Sequence, residues 1–165
     1  MPLRKIRWGL LLTLVLGGHG LASANKALEH SFFLRANASP ENNPQYSKVK
    51  AYRKNPALLE KAKILYLLGQ IQQSPFLFER NGTTYTGPKA AAHLRMKYGY
   101  AKNRISTAEQ FIHFIAAGSL TTGKPYYIID EQGTKHPSLD VLENELALLE
   151  ENLEDGQSIQ TNPKT

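Results

Sequence analysis

The chain has 165 residues, a net charge of +6 and no cysteine, which removes thiol redox chemistry, a cysteine nucleophile, disulfide staples and Cys-ligated zinc. That length suits one domain with a modest core, held by packing alone. The charge is uneven: residues 139–155 hold seven acids and no base, while residues 25–138 hold 16 bases against 7 acids, a map that favours an anionic partner over a neutral one.

Arg4, Lys5 and Arg7 precede an apolar run from Trp8 to Leu16, and the segment closes on Ala22-Ser23-Ala24. This is the order of a cleavable signal peptide over 1–24, its apolar part well short of the ~20 residues that span a bilayer. The expectation is an exported protein with no transmembrane segment after processing and no nucleic-acid partner. No twin arginine and no lipid-accepting cysteine accompany the leader.

Residues 25–55 read as a polar flexible arm, with Phe32-Phe33-Leu34 able to dock one short piece. Lys48, Lys50, Arg53 and Lys54 place a basic cluster at its end. A single α+β domain is expected over 56–154, followed by a disordered tail over 155–165.

Asn55-Pro56 sets a helix start, Asn as N-cap and Pro at the first helical position. The helix runs to about Gln73, and its second half is apolar on nearly every side, as a buried helix would be. Gly69 offers a place for another element to approach closely. Phe76–Arg80 and Thr83–Thr86 flank Asn81-Gly82, the two-residue signature of a type I′ hairpin. Counting from the turn pairs Arg80 with Thr83 and Phe78 with Tyr85, so Phe76, Phe78 and Tyr85 share a core-facing side.

A second helix is expected from Pro88 to Lys102, its stripe Ala90, Ala91, Leu94 and Tyr98 bordered by Arg95 and Lys97. Ser106 and Glu109 fit a capping box for a third helix that ends near Gly118. Pro125–Ile129, a turn at Gln132-Gly133 and a return over Thr134–His136 form a second hairpin. Ser138 caps a last helix with a Leu139, Leu142, Leu146, Leu149, Leu153 seam, short enough for intramolecular packing rather than a coiled coil. The order is two helix–hairpin–helix units. The fold class is α+β, with about four strands in one small antiparallel sheet packed against helices.

Catalytic signatures are thin. Gly118–Lys124 has the spacing of a phosphate-binding loop, but Pro125 stands where the Mg²⁺-binding hydroxyl belongs and the helix precedes rather than follows. His30, His93, His113 and His136 show no metal-ligand spacing, and no cofactor motif is present. His93 sits one turn from Lys97, company that disfavours a protonated imidazole. A hydrolase built on His93 or His136, with Ser119 and Asp130, is the alternative reading, without a nucleophile-elbow sequence behind it. What remains is a set of bases on or beside ordered elements. Arg80, Arg95, Lys97, Arg104 and Lys124, with His93, make a candidate anion-binding surface. The competing reading pairs these bases with Glu79, Glu109 and the acidic last helix.

Four blocks in fixed order, Phe78-x-Arg80-Asn81-Gly82, His93-Leu94-Arg95-Met96-Lys97, Asn103-Arg104-Ile105-x-Thr107 through Ile112, and Thr122-Gly123-Lys124-Pro125-Tyr126, resemble the YfeK-like family of uncharacterised bacterial exported proteins. The likeness covers roughly residues 74–130. It implies a periplasmic protein of a Gram-negative bacterium, and it lends no catalytic residue. Members often carry a cysteine near the first hairpin, and this chain departs from that pattern with Phe76, Leu77 and Gly87. The function expected is a non-enzymatic binding or adaptor module with a basic face for an anionic envelope component or a protein, its oligomeric state left open.

Overall fold

A computed structural model describes residues 32–34 and 40–158, with side chains through 154. The expected signal peptide over 1–24 lies outside the described residues, as do 25–31 and 35–39 of the arm and 159–165 of the tail.

Asn55 starts the principal helix as its sequence indicates. The Asn55 side chain accepts from the Leu58 N–H at 3.2 Å and Pro56 occupies the first turn, opening α2 (Pro56–Gln73). Its all-round apolarity puts Tyr66, Leu67, Leu68 and Ile71 at or below 1 % exposure. Preceding it, α1 (Tyr46–Ala51) follows a single 3₁₀ turn at Pro40–Asn42.

Over residues 40–55 this corrects the reading of a flexible arm: Tyr46 and Val49 are core residues and Asn43 is buried. Asn43 looked like a loop former, but its amide donates to the Tyr66 carbonyl at 2.9 Å and its side-chain oxygen accepts from the Gln45 N–H. A polar residue that meets its hydrogen bonds in the protein is stably buried. Gly69 makes room for it, since a Cβ there would stand 3.0 Å from the Asn43 side chain.

The first hairpin joins β1 (Leu77–Arg80) to β2 (Thr83–Thr86) in the expected register, Arg80 opposite Thr83 and Phe78 opposite Tyr85. Asn81 (φ 52°) and Gly82 (φ 80°) take the two left-handed positions of the turn. Helix α3 (Gly87–Ala101) follows and packs along α2.

The third helix differs from expectation in two ways. Its N-cap is Thr107, which accepts from the Gln110 N–H at 3.1 Å, while the Gln110 side chain accepts from the Ser106 N–H. The capping residues are therefore one position later than Ser106 and Glu109. After α4 (Ala108–Phe111) the chain also widens into a π-helical turn over Ile112–Ala116. Strands β3 (Tyr127–Ile129) and β4 (Lys135–Pro137) make the second hairpin, and α5 (Ser138–Ser158) ends the described chain. The helix thus continues through 155–158, where a disordered tail was expected.

The four strands form one antiparallel sheet in the order β2-β1-β3-β4, with Phe78 paired to Ile128 where the hairpins meet. Alternation puts Phe78, Arg80, Tyr85 and Ile128 on the face that the helices cover, and Leu77, Glu79 and Tyr127 on the other. The leucine seam of α5 is spent inside the fold: Leu142, Leu146, Leu149 and Leu153 are all buried. Among the described residues, no helix is long and apolar enough to cross a membrane.

Candidate functional site

A cavity of about 260 Å³ lies between the covered face of the sheet and α3. Phe78, Leu94 and Ala116 give it apolar walls, and Tyr85 and Tyr126 add aromatic ones. Arg80 and His93 supply its polar edge, with Glu79, Lys89 and Ser138 at its margins. Because Arg80 is two residues from Phe78, the strand's period aims it at α3 rather than at solvent. His93 meets it from one turn before Lys97.

The Arg80 Nη1 lies 2.8 Å from both ring nitrogens of His93, and Nη2 donates to the Tyr85 hydroxyl at 3.1 Å. A guanidinium only donates, so the imidazole nitrogen that it bonds is an acceptor and the ring is neutral. Burial, then the positive charges of Arg80 and Lys97, hold His93 below the usual histidine range, in the same sense. Arg80 also stacks near the Tyr85 ring, 5.0 Å from its centroid. Both partners orient the guanidinium and neither neutralises it.

Lys97 serves a different purpose. Its ammonium donates to the Ile115 and Gly118 carbonyls, the second at 2.8 Å, closing the end of the π-helical turn. It rests 5.0 Å from the Tyr126 ring centroid. Burial and then Arg80 pull its pKa down to about 8. Lys97 therefore adds positive potential behind Arg80 while its donors are engaged elsewhere.

The remaining candidates do not converge here. Arg95 donates to the Gln72 side chain in a separate polar groove with Lys48 and Gln45. Arg104 is exposed beyond the end of α3, and Lys124 is exposed in the loop before β3. Pairing with acids is not what occupies these bases: no ion pair of Arg80, Arg95, Lys97, Arg104 or Lys124 is found among the described residues. Glu79 is taken by Lys135 at 2.6 Å. The acidic last helix supplies Glu150 to Lys63 at 2.7 Å and Glu143 to His113 at 3.1 Å. Burial pushes the Lys63 ammonium down, but the Glu150 and Glu60 carboxylates outweigh it and its pKa is raised.

Of the hydrolase alternative, the structure brings His136 and Asp130 together but leaves Ser119 and His93 with other partners. His136 bonds Asp130 at 2.8 Å and lies flat against Phe32, ring centroids 3.9 Å apart. That imidazole first, then the Thr134 and Gln132 N–H groups, keep Asp130 below the usual carboxylate range. Ser119 accepts from the Thr122 N–H at 3.3 Å. No serine–histidine hydrogen bond is found among the described residues, nor is any group of three His, Asp or Glu side chains placed to hold a metal.

Sequence reasoning missed Tyr85 and Tyr126 as walls, although the Phe78–Tyr85 pairing already put one of them beside Arg80. It also missed Glu145, fully buried in α5. Glu145 lies three residues after Leu142 and four before Leu149, so its place on the seam face was readable.

Among known proteins, the sequence profile of a family of unknown function, DUF5329, matches residues 59–150. An uncharacterized protein of Salmonella typhimurium, YfeK, is 47% identical over 68 residues, which cover 41% of this chain and 57% of that relative. The chain therefore spans little more than half the length of the relative it matches. No solved structure matches. With that profile extending from α2 through most of α5 and taking in the cavity, the chain belongs to the DUF5329 family, a YfeK-like domain of unknown function.

Proposed function

We propose that the chain is an exported, non-enzymatic binding module of the periplasm, and that the cavity at Arg80 is where it takes an anionic envelope component or the acidic group of a protein. One observation carries the reading. A guanidinium is oriented by two neutral partners, His93 and Tyr85, beside a cavity and without a carboxylate of its own. Arg80 is half-buried, and a charge partly withdrawn from water with no acid beside it carries a desolvation cost. Here the one acid on the same strand is directed to Lys135. An incoming anion would complete the charge balance and gain charge-assisted hydrogen bonds. The leader and the basic excess of residues 25–138 support an envelope setting.

The test is binding of the full chain and of Arg80→Gln to anionic-lipid vesicles, lipopolysaccharide and peptidoglycan fragments at low and moderate salt. The reading expects salt-sensitive binding to one of these that weakens at least tenfold in the variant. No salt-sensitive binding, or equal binding by the variant, would defeat it. For export, cell fractionation should recover a processed form in the periplasm. An unprocessed cytoplasmic chain would contradict that part.

A further inference from the structure

The cavity holds more information than its charge. We propose that its ligand is a small aryl carboxylate: one monoanionic carboxylate seated on Arg80, carried by an aromatic body that fills the space beneath. This rests on the reading of the cavity as an anion site and narrows it.

Four features select that class. The first is charge. One guanidinium points into the space, Lys97 has its donors on the Ile115 and Gly118 carbonyls, and His93 is neutral. Arg80 is thus the cation whose donors face the space, while Lys97 behind it keeps its charge and adds positive potential without reaching in. Lys89 at the rim is solvent-exposed, and so is a weak and well-screened addition. A dianionic phosphate would enter short of donors, whereas a carboxylate matches one guanidinium's fork; Glu79, which also lines the space, is held by Lys135.

The second feature is hydrogen bonding. Of five guanidinium N–H groups, two are directed to His93 and Tyr85, which leaves about three for a ligand, enough for a two-point fork on a planar carboxylate. The third is lining. Phe78, Leu94 and Ala116 are apolar and buried, and of the polar lining Ser138 already donates to the Ala116 carbonyl and Glu79 is held by Lys135, so the wall beneath Arg80 is mainly apolar. Tyr126 is buried as well. Aromatic walls of this kind favour a ring, through edge and offset contacts. The fourth is size. A dry cavity of ~150 Å³ holds benzene, so about 260 Å³ accepts a fused two-ring body with its carboxylate.

Naphthalene-2-carboxylate is a direct probe, with naphthalene-2-methanol as its neutral counterpart and inorganic phosphate as the anion without an apolar body. Calorimetric titration of the full chain should show the carboxylate binding at least tenfold more tightly than the alcohol, and no heat of binding from phosphate. Arg80→Gln should bring the carboxylate down to the level of the alcohol, and Arg80→Lys, which keeps charge but not the fork, should fall between. The ligand series on the unaltered chain needs no variant to fold. Equal binding of carboxylate and alcohol would overturn the inference. So would phosphate or anionic vesicles binding through Arg80 with no response to the naphthoate, a result that leaves the anion site itself standing. No Arg80-dependent anion of any kind would overturn both.

Discussion

Glu145 ties the two ends of the described chain together, and its removal has a calculable cost. The carboxylate is fully buried. One oxygen accepts from the Leu34 N–H at 2.7 Å and the other from the Gln70 side chain at 3.2 Å, across 111 and 75 residues of sequence. Gln70 also donates to the Tyr66 hydroxyl at 2.8 Å, so both its amide hydrogens are committed. A donor left buried without its acceptor costs ~1–3 kcal/mol. With two such donors left behind, at Leu34 and Gln70, Glu145→Ala should cost about 2–5 kcal/mol, a large share of the ~5–15 kcal/mol typical of a domain. Glu145→Gln keeps the shape but turns an NH₂ toward one of the donors, and should cost about 1–3 kcal/mol. Urea unfolding measures both losses. Amide exchange at Leu34 reports whether the N-terminal segment has come away. A loss below ~1 kcal/mol for the alanine variant, or unchanged protection at Leu34, would refute this account of how that segment is held.

Further outcomes follow from the caps, the turn and the titrating groups. Thr107→Ala should destabilise by about 1 kcal/mol through loss of the bond to the Gln110 N–H, whereas Ser106→Ala should be near neutral in the same melts. Gly82→Ala forces a side chain into φ 80° and should cost ~1–2 kcal/mol by thermal unfolding. His93 is held below its ordinary value of 6.5, so on acidification the unfolded chain takes up that proton first. Stability present above pH ~6.5 should decline as pH falls through the native pKa, and His93→Gln should remove that part of the decline. Lys97→Met leaves the Ile115 and Gly118 carbonyls without their donor and should cost about 2 kcal/mol in urea, while ¹⁵N titration of the native ammonium should find it deprotonating near 8.

Local signals were the legible ones. Asn55-Pro56, Asn81-Gly82 and the α5 leucine spacing each act within a turn or two of chain, and each appears where those residues place it. The α+β class follows from their order. The polar stretch around Asn43 was misread because composition records polarity and not whether a partner waits 23 residues away at Tyr66. Lys97 caps the end of the π-helical turn from another helix, a relation that no window along residues 108–118 contains. At the site, Arg80, His93 and Lys97 were named from charge and position, and the structure sets Arg80 against His93. It sends Arg95 to a different groove and leaves Arg104 and Lys124 on exposed ends. Strand parity decided the first, and helix phase decided the second: two residues apart on α3, His93 and Arg95 point some 200° apart around the axis.

Side-chain NMR of Arg80 is the most direct test of the anion site. On titration with naphthalene-2-carboxylate, the Arg80 Nε–H resonance should shift downfield and saturate, together with the backbone amides of Tyr85, Ala90 and Leu94, while Lys124 and Arg95 stay still. Movement centred on the Lys48–Arg95 groove or the loop at Lys124, with Arg80 unmoved, would contradict the assignment of the ligand to this cavity.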